Sequence, residues 1–367
     1  MIRNQIREVH TAAHRQARTG GSDLPACIER VARQLGAVYR PDQEQARYNL
    51  HADEHSVKAY LGTYLPRTVY EFTCIGHDML GHAPMRRAIA SNRPLSILDL
   101  GSGTGGAWMG LASALFSQGF RRGLEIDAID GNQLALSKQA PFANAMQAQS
   151  GVPIQLVATH CQLGADAGAF ASSLYAVLKR LNKQYDFVLV SKHLSEFYCV
   201  KGRAACGVVY EALQWLEYAL KPQGFLVMLD VTIRIDEMGE YFPNIMAREL
   251  GEYMVSKPGG LRPVLPLPCA VSSARGCAAS RGQCFTQRQM HFRQSMDGDG
   301  VVRRDVTKVT YRVLARQPHA SSITAGYSCG LAYQVNAQRD DQACHRGQIV
   351  SQMRGVNGYF PLSNCTQ

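Results

Sequence analysis

Apolar positions recur at helical spacing in CIERVARQLGAVY and again in AYLGTYLPRTVYEFTCIGHDML, so residues 1–93 read as a helical region. Leu65 precedes a proline, and contact with the proline ring disfavours helical torsions there, which predicts a break or bend within the second segment. From Leu95 the period shortens. SILDL, LEIDAID, IQLVATH, YDFVLVS and GFLVMLD are short apolar runs, and segments of helical character such as GGAWMGLASALFSQ and VVYEALQWLEYAL separate them. Such alternation predicts a doubly wound α/β domain over 94–257. Beyond SKPGGLRPVLPLP the chain turns irregular and richer in Cys, Gly and basic residues through 258–367, with KVTYRVLAR as its one clear strand.

Composition changes this picture in two ways. The 367 residues are 46% hydrophobic, enough for a large domain with its own core, but no run approaches the roughly 18 apolar residues of a membrane span. No secretory signal is visible near the start, so no membrane partner is expected. The first twenty residues are arginine-rich with a single acid, a composition shared by mitochondrial presequences and by ordinary basic helices. The net charge of +10 favours a polyanionic partner, for which nucleic acid is the simplest candidate. Eleven cysteines are many for a chain in a reducing compartment, where clustered thiols bind metal or do redox work. Scattered ones such as Cys27, Cys74 and Cys161 read as small core residues.

The segment ILDLGSGTGGAW sets a strand against a loop holding Gly101, Gly103, Gly105 and Gly106, ahead of a helix. Glycines there allow close approach of a ligand, and the helix start offers unpaired N–H groups. The spacing alone leaves a nicotinamide dinucleotide open. Asp99, two residues before the first glycine, gives a pyrophosphate nothing. With that acid, the loop resembles the first motif of class I S-adenosylmethionine-dependent methyltransferases, in which acid and glycines surround the cationic methionyl end of the cofactor. That resemblance assigns Asp99, Gly101, Gly103 and Gly105 to cofactor binding, and a second acid to the ribose hydroxyls: Asp130, with Asp127 as the less well placed alternative. A carboxylate can accept from two vicinal hydroxyls at once. Asp130 also reads as a helix N-cap before NQLAL.

The run YDFVLVSKHLSEFY ends in Ser191, Lys192, His193 and Glu196, at the sheet edge where open α/β folds bind ligands. The Asn/Asp-Pro-Pro-aromatic clamp of many amine methyltransferases is missing from it. His193 and Glu196 are therefore candidate pocket residues, and His193 reads equally well as a hydrogen-bonded histidine at a strand end.

In PLPCAVSSARGCAASRGQCFTQR, Cys269, Cys277 and Cys284 stand in a segment too irregular to need them as core residues. Their spacing lacks paired zinc knuckles, while iron–sulfur clusters tolerate wider spacings. Here the chain resembles the methyltransferase-like proteins of small ribosomal subunit assembly, found in mitochondria and bacteria. The resemblance runs through AYLGTYLPRTVYEF, ILDLGSGTGGAW, CFTQR, TYRVLAR and the terminal GQIVSQMRGVNGYFPLSNCTQ. It implies a Rossmann-like class I methyltransferase domain between an N-terminal helical region and a Cys-rich metal-binding C-terminal region. It further implies a four-iron (4Fe-4S) cluster on Cys269, Cys277, Cys284 and Cys365, with zinc as the alternative metal. The chain departs from the family in the wide CAVSSARGC spacing, and in an apparent insertion holding Cys329 and Cys344, either of which could replace Cys365.

Two functions follow from the resemblance. One is an enzyme that methylates ribosomal RNA, since methyl transfer is largely a positioning problem and needs no conspicuous catalytic residue. The other is an assembly factor that docks on small-subunit rRNA and ribosomal proteins, beside other assembly factors, and keeps the fold as scaffold. In the second, Arg288, Arg293, Arg303, Arg304, Arg312 and Arg316 would supply phosphate contacts. The compartment implied is the mitochondrial matrix, with the bacterial cytoplasm as alternative. A small-molecule methyltransferase explains neither the charge nor the cysteine loop.

Overall fold

The computed structural model describes residues 21–41, 51–90, 93–266, 288–328, 331–334 and 348–351. Two helices, α1 (Ala26–Gln34) and the long α2 (Glu54–Gly81), precede a short α3 (Ala83–Ile89). Asp53 starts α2, its carboxylate accepting from the Ser56 N–H at 2.8 Å. The expected break at Pro66 does not occur, and α2 runs through it. Proline deprives the Gly62 carbonyl of its helical donor, and a wholly buried side chain supplies one instead: Gln294 Nε2 donates to Gly62 O at 3.4 Å. Tertiary contact thus replaces the bond that local sequence removes.

The central sheet begins with β1 (Leu95–Leu100), followed by α4 (Gly106–Ser117), β2 (Leu124–Asp130), α5 (Gln133–Ser137) and α6 (Gln139–Ser150). Next come β3 (Ile154–His160), α7 (Ala167–Leu181), β4 (Tyr185–Ser191) and α8 (Leu194–Lys201), then α9 (Val208–Ala219) and β5 (Leu220–Val231). A small hairpin, β6 (Arg234–Ile235) with β7 (Glu240–Tyr241), leads into α10 (Phe242–Ser256). After it, β8 (Leu261–Leu265), β9 (Arg288–Gln294) and β10 (Arg303–Arg316) enlarge the same sheet across position 257. Beyond α11 (His319–Ser328), β11 (Leu331–Gln334) pairs with β12 (Gln348–Ser351).

The order across the sheet is β3-β2-β1-β4-β5-β10-β8, parallel through β5, with β10 antiparallel to both of its neighbours there. This is a Rossmann-like sheet whose winding reverses between β1 and β4, the point where such folds open a crevice. β1 is buried along its whole length, as a central parallel strand should be. Two apolar cores flank the sheet: one gathers α2, α4 and α6 around Phe72, Trp108 and Phe142, the other gathers α7 to α10 around Phe170, Phe197 and Leu213. Among the described residues, no helix is long and apolar enough to cross a membrane.

The β9–β10 ribbon is fastened to α2 by its inner face. Arg67 grips Asp305 with two bonds of 3.1 and 3.0 Å, Tyr70 stacks on Phe292 at 4.9 Å, and Thr307 donates to buried Glu71. Alternate residues of β10 point outward, so Arg304 and Lys308 are exposed where Asp305 and Thr307 are buried.

Candidate functional site

At the carboxyl edge of β1 and β4 lies a cleft of about 780 Å³, its open mouth included. The glycine loop, Asp130 to Asn132 after β2, Cys161 to Leu163 after β3, and Ser191 to His193 after β4 form its walls, and Val57 and Tyr60 of α2 reach it from one side. The loop takes its shape from left-handed torsions at Gly101 (φ 68°) and Gly103 (φ 51°). At Gly101 space decides as well: a Cβ there would lie 2.3 Å from Cγ of His193, so the imidazole rests directly on the loop. At Gly103 a Cβ would meet nothing within 4 Å, and that residue faces the cleft.

Asp130 holds the loop to β2. Its Oδ2 accepts from the Gly103 N–H at 2.8 Å and its Oδ1 from the Asn132 N–H at 2.7 Å, leaving lone pairs toward the cleft it lines. The N-cap of α5 is Asn132, which accepts from the Ala135 N–H at 3.0 Å. Burial raises the Asp130 carboxyl above its ordinary value, against the pull of its two N–H donors. Asp127 points elsewhere, to Lys183 at 3.1 Å.

Asp99 is fully buried behind the loop and is not part of the cleft wall. Its Oδ2 accepts from Ser102 Oγ at 2.9 Å, Gln139 Nε2 donates to the same hydroxyl at 3.0 Å and to Gly103 O at 2.8 Å, and Trp108 Nε1 donates to Gln139 Oε1 at 2.9 Å. Desolvation pushes Asp99 up to about 7, opposed by the Ser102 hydroxyl. Gly105 also stands behind, as the left-handed N-cap of α4. The cleft therefore brings Gly101, Gly103 and Asp130 together, and Asp99 acts on them through Ser102.

After β4 the backbone makes an unusual turn: Lys192 has φ 52°, a left-handed torsion on a non-glycine residue. This points its ammonium inward, 2.8 Å from Glu71 Oε2 and 3.2 Å from Thr68 Oγ1. His193 packs edge-on against Phe197 at 4.9 Å, and burial drops its pKa to about 4, so the ring is neutral at pH 7. Ser191 Oγ and His193 Nε2 are buried in the wall without a hydrogen-bond partner among the described residues. Burial, then Glu196, Asp130 and Glu71, hold the Tyr60 phenol neutral. The carboxylates of Asp130 and Glu196 border the cleft, while Lys192, the lysine among its lining residues, is matched by Glu71. A cation suits such a cleft; an anion does not.

Sequence reasoning passed over Tyr60, Gln139 and the Lys192–Glu71 pair, because each meets the site through a partner distant in the chain. Cys27 and Cys74 are buried as expected, but Cys161 is half-buried in the cleft wall. Cys269, Cys277, Cys284 and Cys365, with the alternatives Cys329 and Cys344, lie outside the described residues. Among those described, no group of three or more His, Cys, Asp or Glu side chains could hold a metal. The expected phosphate-binding arginines are mostly engaged. Arg312 is 2% exposed, Arg303 pairs with Asp297 and Asp299, Arg293 with Asp23 at 3.2 Å, and Arg316 donates to Leu220 O. Arg304 alone of the set is exposed on a described side chain, that of Arg288 not being described.

No family model matches the chain, and no curated protein matches it. Solved structures do. A precorrin-6y C5,15-methyltransferase from Geobacter metallireducens overlaps 76% of this chain and 98% of its own at 12% identity and a TM-score of 0.33. A putative RNA methyltransferase from Pyrococcus horikoshii overlaps 80% and 98% at 8% identity and 0.34. A plantazolicin methyltransferase solved with SAH overlaps 79% and 96% at 9% identity and 0.38. These overlaps are shallow, and the fold assignment rests on the strand order and the reversal between β1 and β4.

Proposed function

We propose that the cleft binds S-adenosylmethionine and that the chain is a methyltransferase-like assembly factor of the small ribosomal subunit. The observation that carries the cofactor reading is the Gly103 N–H bound to Asp130 in a cleft bordered by carboxylates, with the Ser191 and His193 polar atoms in its wall unpartnered among the described residues. A ligand that is cationic at one end and rich in hydroxyl groups at the other answers both features. When bound, the cofactor supplies a methyl group already activated by its sulfonium. The chain's own residues do the rest: Asp130 accepts from the ribose hydroxyls, Gly101 and Gly103 keep the loop close, and Asp99 holds Ser102 and so the loop's shape. His193, neutral at pH 7, offers a ring nitrogen to a proton leaving a methylated N–H or O–H.

The partner half of the proposal rests on the net charge of +10 and on the resemblance through CFTQR, TYRVLAR and the terminal segment. In it the chain acts on rRNA and ribosomal proteins, with other assembly factors, in the mitochondrial matrix or a bacterial cytoplasm. Cys269, Cys277, Cys284 and Cys365 hold a 4Fe-4S cluster, with zinc as the alternative. Whether the bound methyl group is transferred separates an rRNA methyltransferase from a scaffold.

Titration calorimetry with S-adenosylmethionine on the whole protein and on Asp130→Ala tests the cleft. Binding in the wild type, lost in the variant, supports the reading, and no heat with the wild type ends it. Iron and acid-labile sulfide on protein purified without oxygen test the cysteine site: about four of each per chain are expected, whereas zinc without sulfide replaces the cluster.

A further inference from the structure

The helices α7 and α9 carry an aromatic row far from the cleft. Tyr175 and Tyr218 are 45% and 58% exposed, two of the most exposed large apolar side chains among the described residues, and Trp215 stands between them. The ring centroids of Tyr175 and Trp215 are 4.9 Å apart, and those of Trp215 and Tyr218 are 6.3 Å apart. Cations flank the row at both ends. Lys179 Nζ lies 5.9 Å from the Tyr175 centroid and Lys257 Nζ 4.5 Å from that of Tyr218, while exposed Arg180 follows Lys179 in the last turn of α7.

Core packing does not account for such exposure. The buried faces of these helices already use Phe170, Leu174, Val177, Leu213 and Leu216, and the tyrosines point the other way. Two of the cations, Lys179 and Arg180, form no ion pair among the described residues. Lys257 does pair with Glu217, at 2.7 Å, and keeps its place over the Tyr218 ring. Glu211 lies one turn before Trp215 on α9, and Glu217, next to Tyr218, is already held by Lys257, so the positive charge left over along the row is that of Lys179 and Arg180.

We propose that Tyr175, Trp215 and Tyr218, with Lys179, Arg180 and Lys257, form a docking surface for single-stranded RNA. Exposed tyrosine rings beside cations are what an unpaired strand needs: bases stack on the rings in any sequence, and Lys179 and Arg180, which no described carboxylate answers, meet the phosphates. The helices end here just before β4 and β5 begin, so the surface lies at the sheet edge opposite the cleft. RNA held here would leave the cleft open. The inference rests on the RNA half of the proposed function and is independent of the cofactor half.

The test is fluorescence anisotropy of a short fluorescein-labelled oligouridine with the whole protein across a salt series, with S-adenosylmethionine binding measured on the same samples. Replacing both tyrosines (Tyr175→Ala with Tyr218→Ala) is expected to weaken RNA binding about tenfold or more, while Tyr175→Phe with Tyr218→Phe keeps it. Lys179→Ala with Arg180→Ala is expected to flatten the salt dependence of log K by about 0.7 for each cation removed. Cofactor binding should be unchanged throughout. RNA affinity unchanged in both the alanine pair and the cation pair, or no RNA binding by the wild type, overturns the proposal. If the alanine pair loses both ligands through misfolding, the cation pair decides. A wild type that binds RNA without the cofactor would defeat the cleft reading and leave this one standing.

Discussion

The ammonium of Lys192 lies 2.8 Å from Oε2 of Glu71, joining the turn after β4 to the middle of α2. Lys192 keeps a left-handed torsion to make this contact, and Glu71 in turn accepts from Thr307 of β10. Both side chains are almost wholly buried, so one pair couples the cleft wall, the N-terminal helix and the C-terminal ribbon. An ion pair so placed is costly to break from one side, because the other charge stays in the apolar interior. Glu71→Ala should therefore lose about 3–5 kcal/mol by urea denaturation. Adding Lys192→Met to that variant should recover a large part, and no recovery would show that the pair does not act as a unit.

Gly101 and Gly103 share a left-handed torsion and differ in surroundings. Gly101→Ala would drive a Cβ into His193, 2.3 Å from Cγ, so it should lower the thermal midpoint and abolish cofactor binding together. Gly103→Ala has open space around the new methyl group and should cost only the torsional strain, about 1–2 kcal/mol. Its larger effect should appear in cofactor affinity, because the methyl group enters the cleft. Calorimetry beside thermal melts separates the two; equal effects of both variants on both readouts would refute the distinction.

His193 has a folded pKa near 4, against an ordinary 6.5. Its depression means that the unfolded chain takes up the proton first as pH falls. The stability it contributes is therefore full above about pH 6.5 and is lost progressively down to about pH 4. Relative to His193→Gln, the wild type should lose at most about 3 kcal/mol across that window. A difference between the two proteins that stays constant with pH would mean that the ring is solvated.

Pro66 and Gln294 make a further pair for a mutant cycle. Gln294→Leu leaves the Gly62 carbonyl without its side-chain donor and should cost about 1–3 kcal/mol. In that background Pro66→Ala returns a backbone N–H to the same carbonyl and should restore stability, though in the wild type it gains little. Denaturant midpoints of the four proteins test this, and additivity would break the link.

Much of the sheet was legible because its parallel strands carry strong local signatures, the inner ones as buried apolar runs. LEIDAID, IQLVATH and YDFVLVS coincide with β2, β3 and β4, and ILDL lies within β1. The glycine loop and Asp130 were legible for a related reason, since a strand, a loop and a helix in succession place them without distant partners. Pro66 misled the reading because its remedy, Gln294, lies more than two hundred residues away. The ribbon arginines misled it too: Arg312 and Arg304 lie on the same face of β10, yet Arg312 is buried where the strand pairs with β5 and Arg304 is exposed where it pairs with β9.

The amino-acid order by itself determined the doubly wound alternation and the loop between β1 and α4, because periodicity, glycine torsions and strand propensity act within a few residues. Tertiary structure alone decided that α2 passes unbroken through Pro66, that β10 inserts antiparallel between β5 and β8, and that Lys192 turns inward to Glu71. It also set His193 on Gly101 and left Tyr175 and Tyr218 facing outward. Hydrogen bonds, ion pairs and burial are settled by groups that meet only after the chain has folded, and no local pattern carries the identity of a partner many residues away.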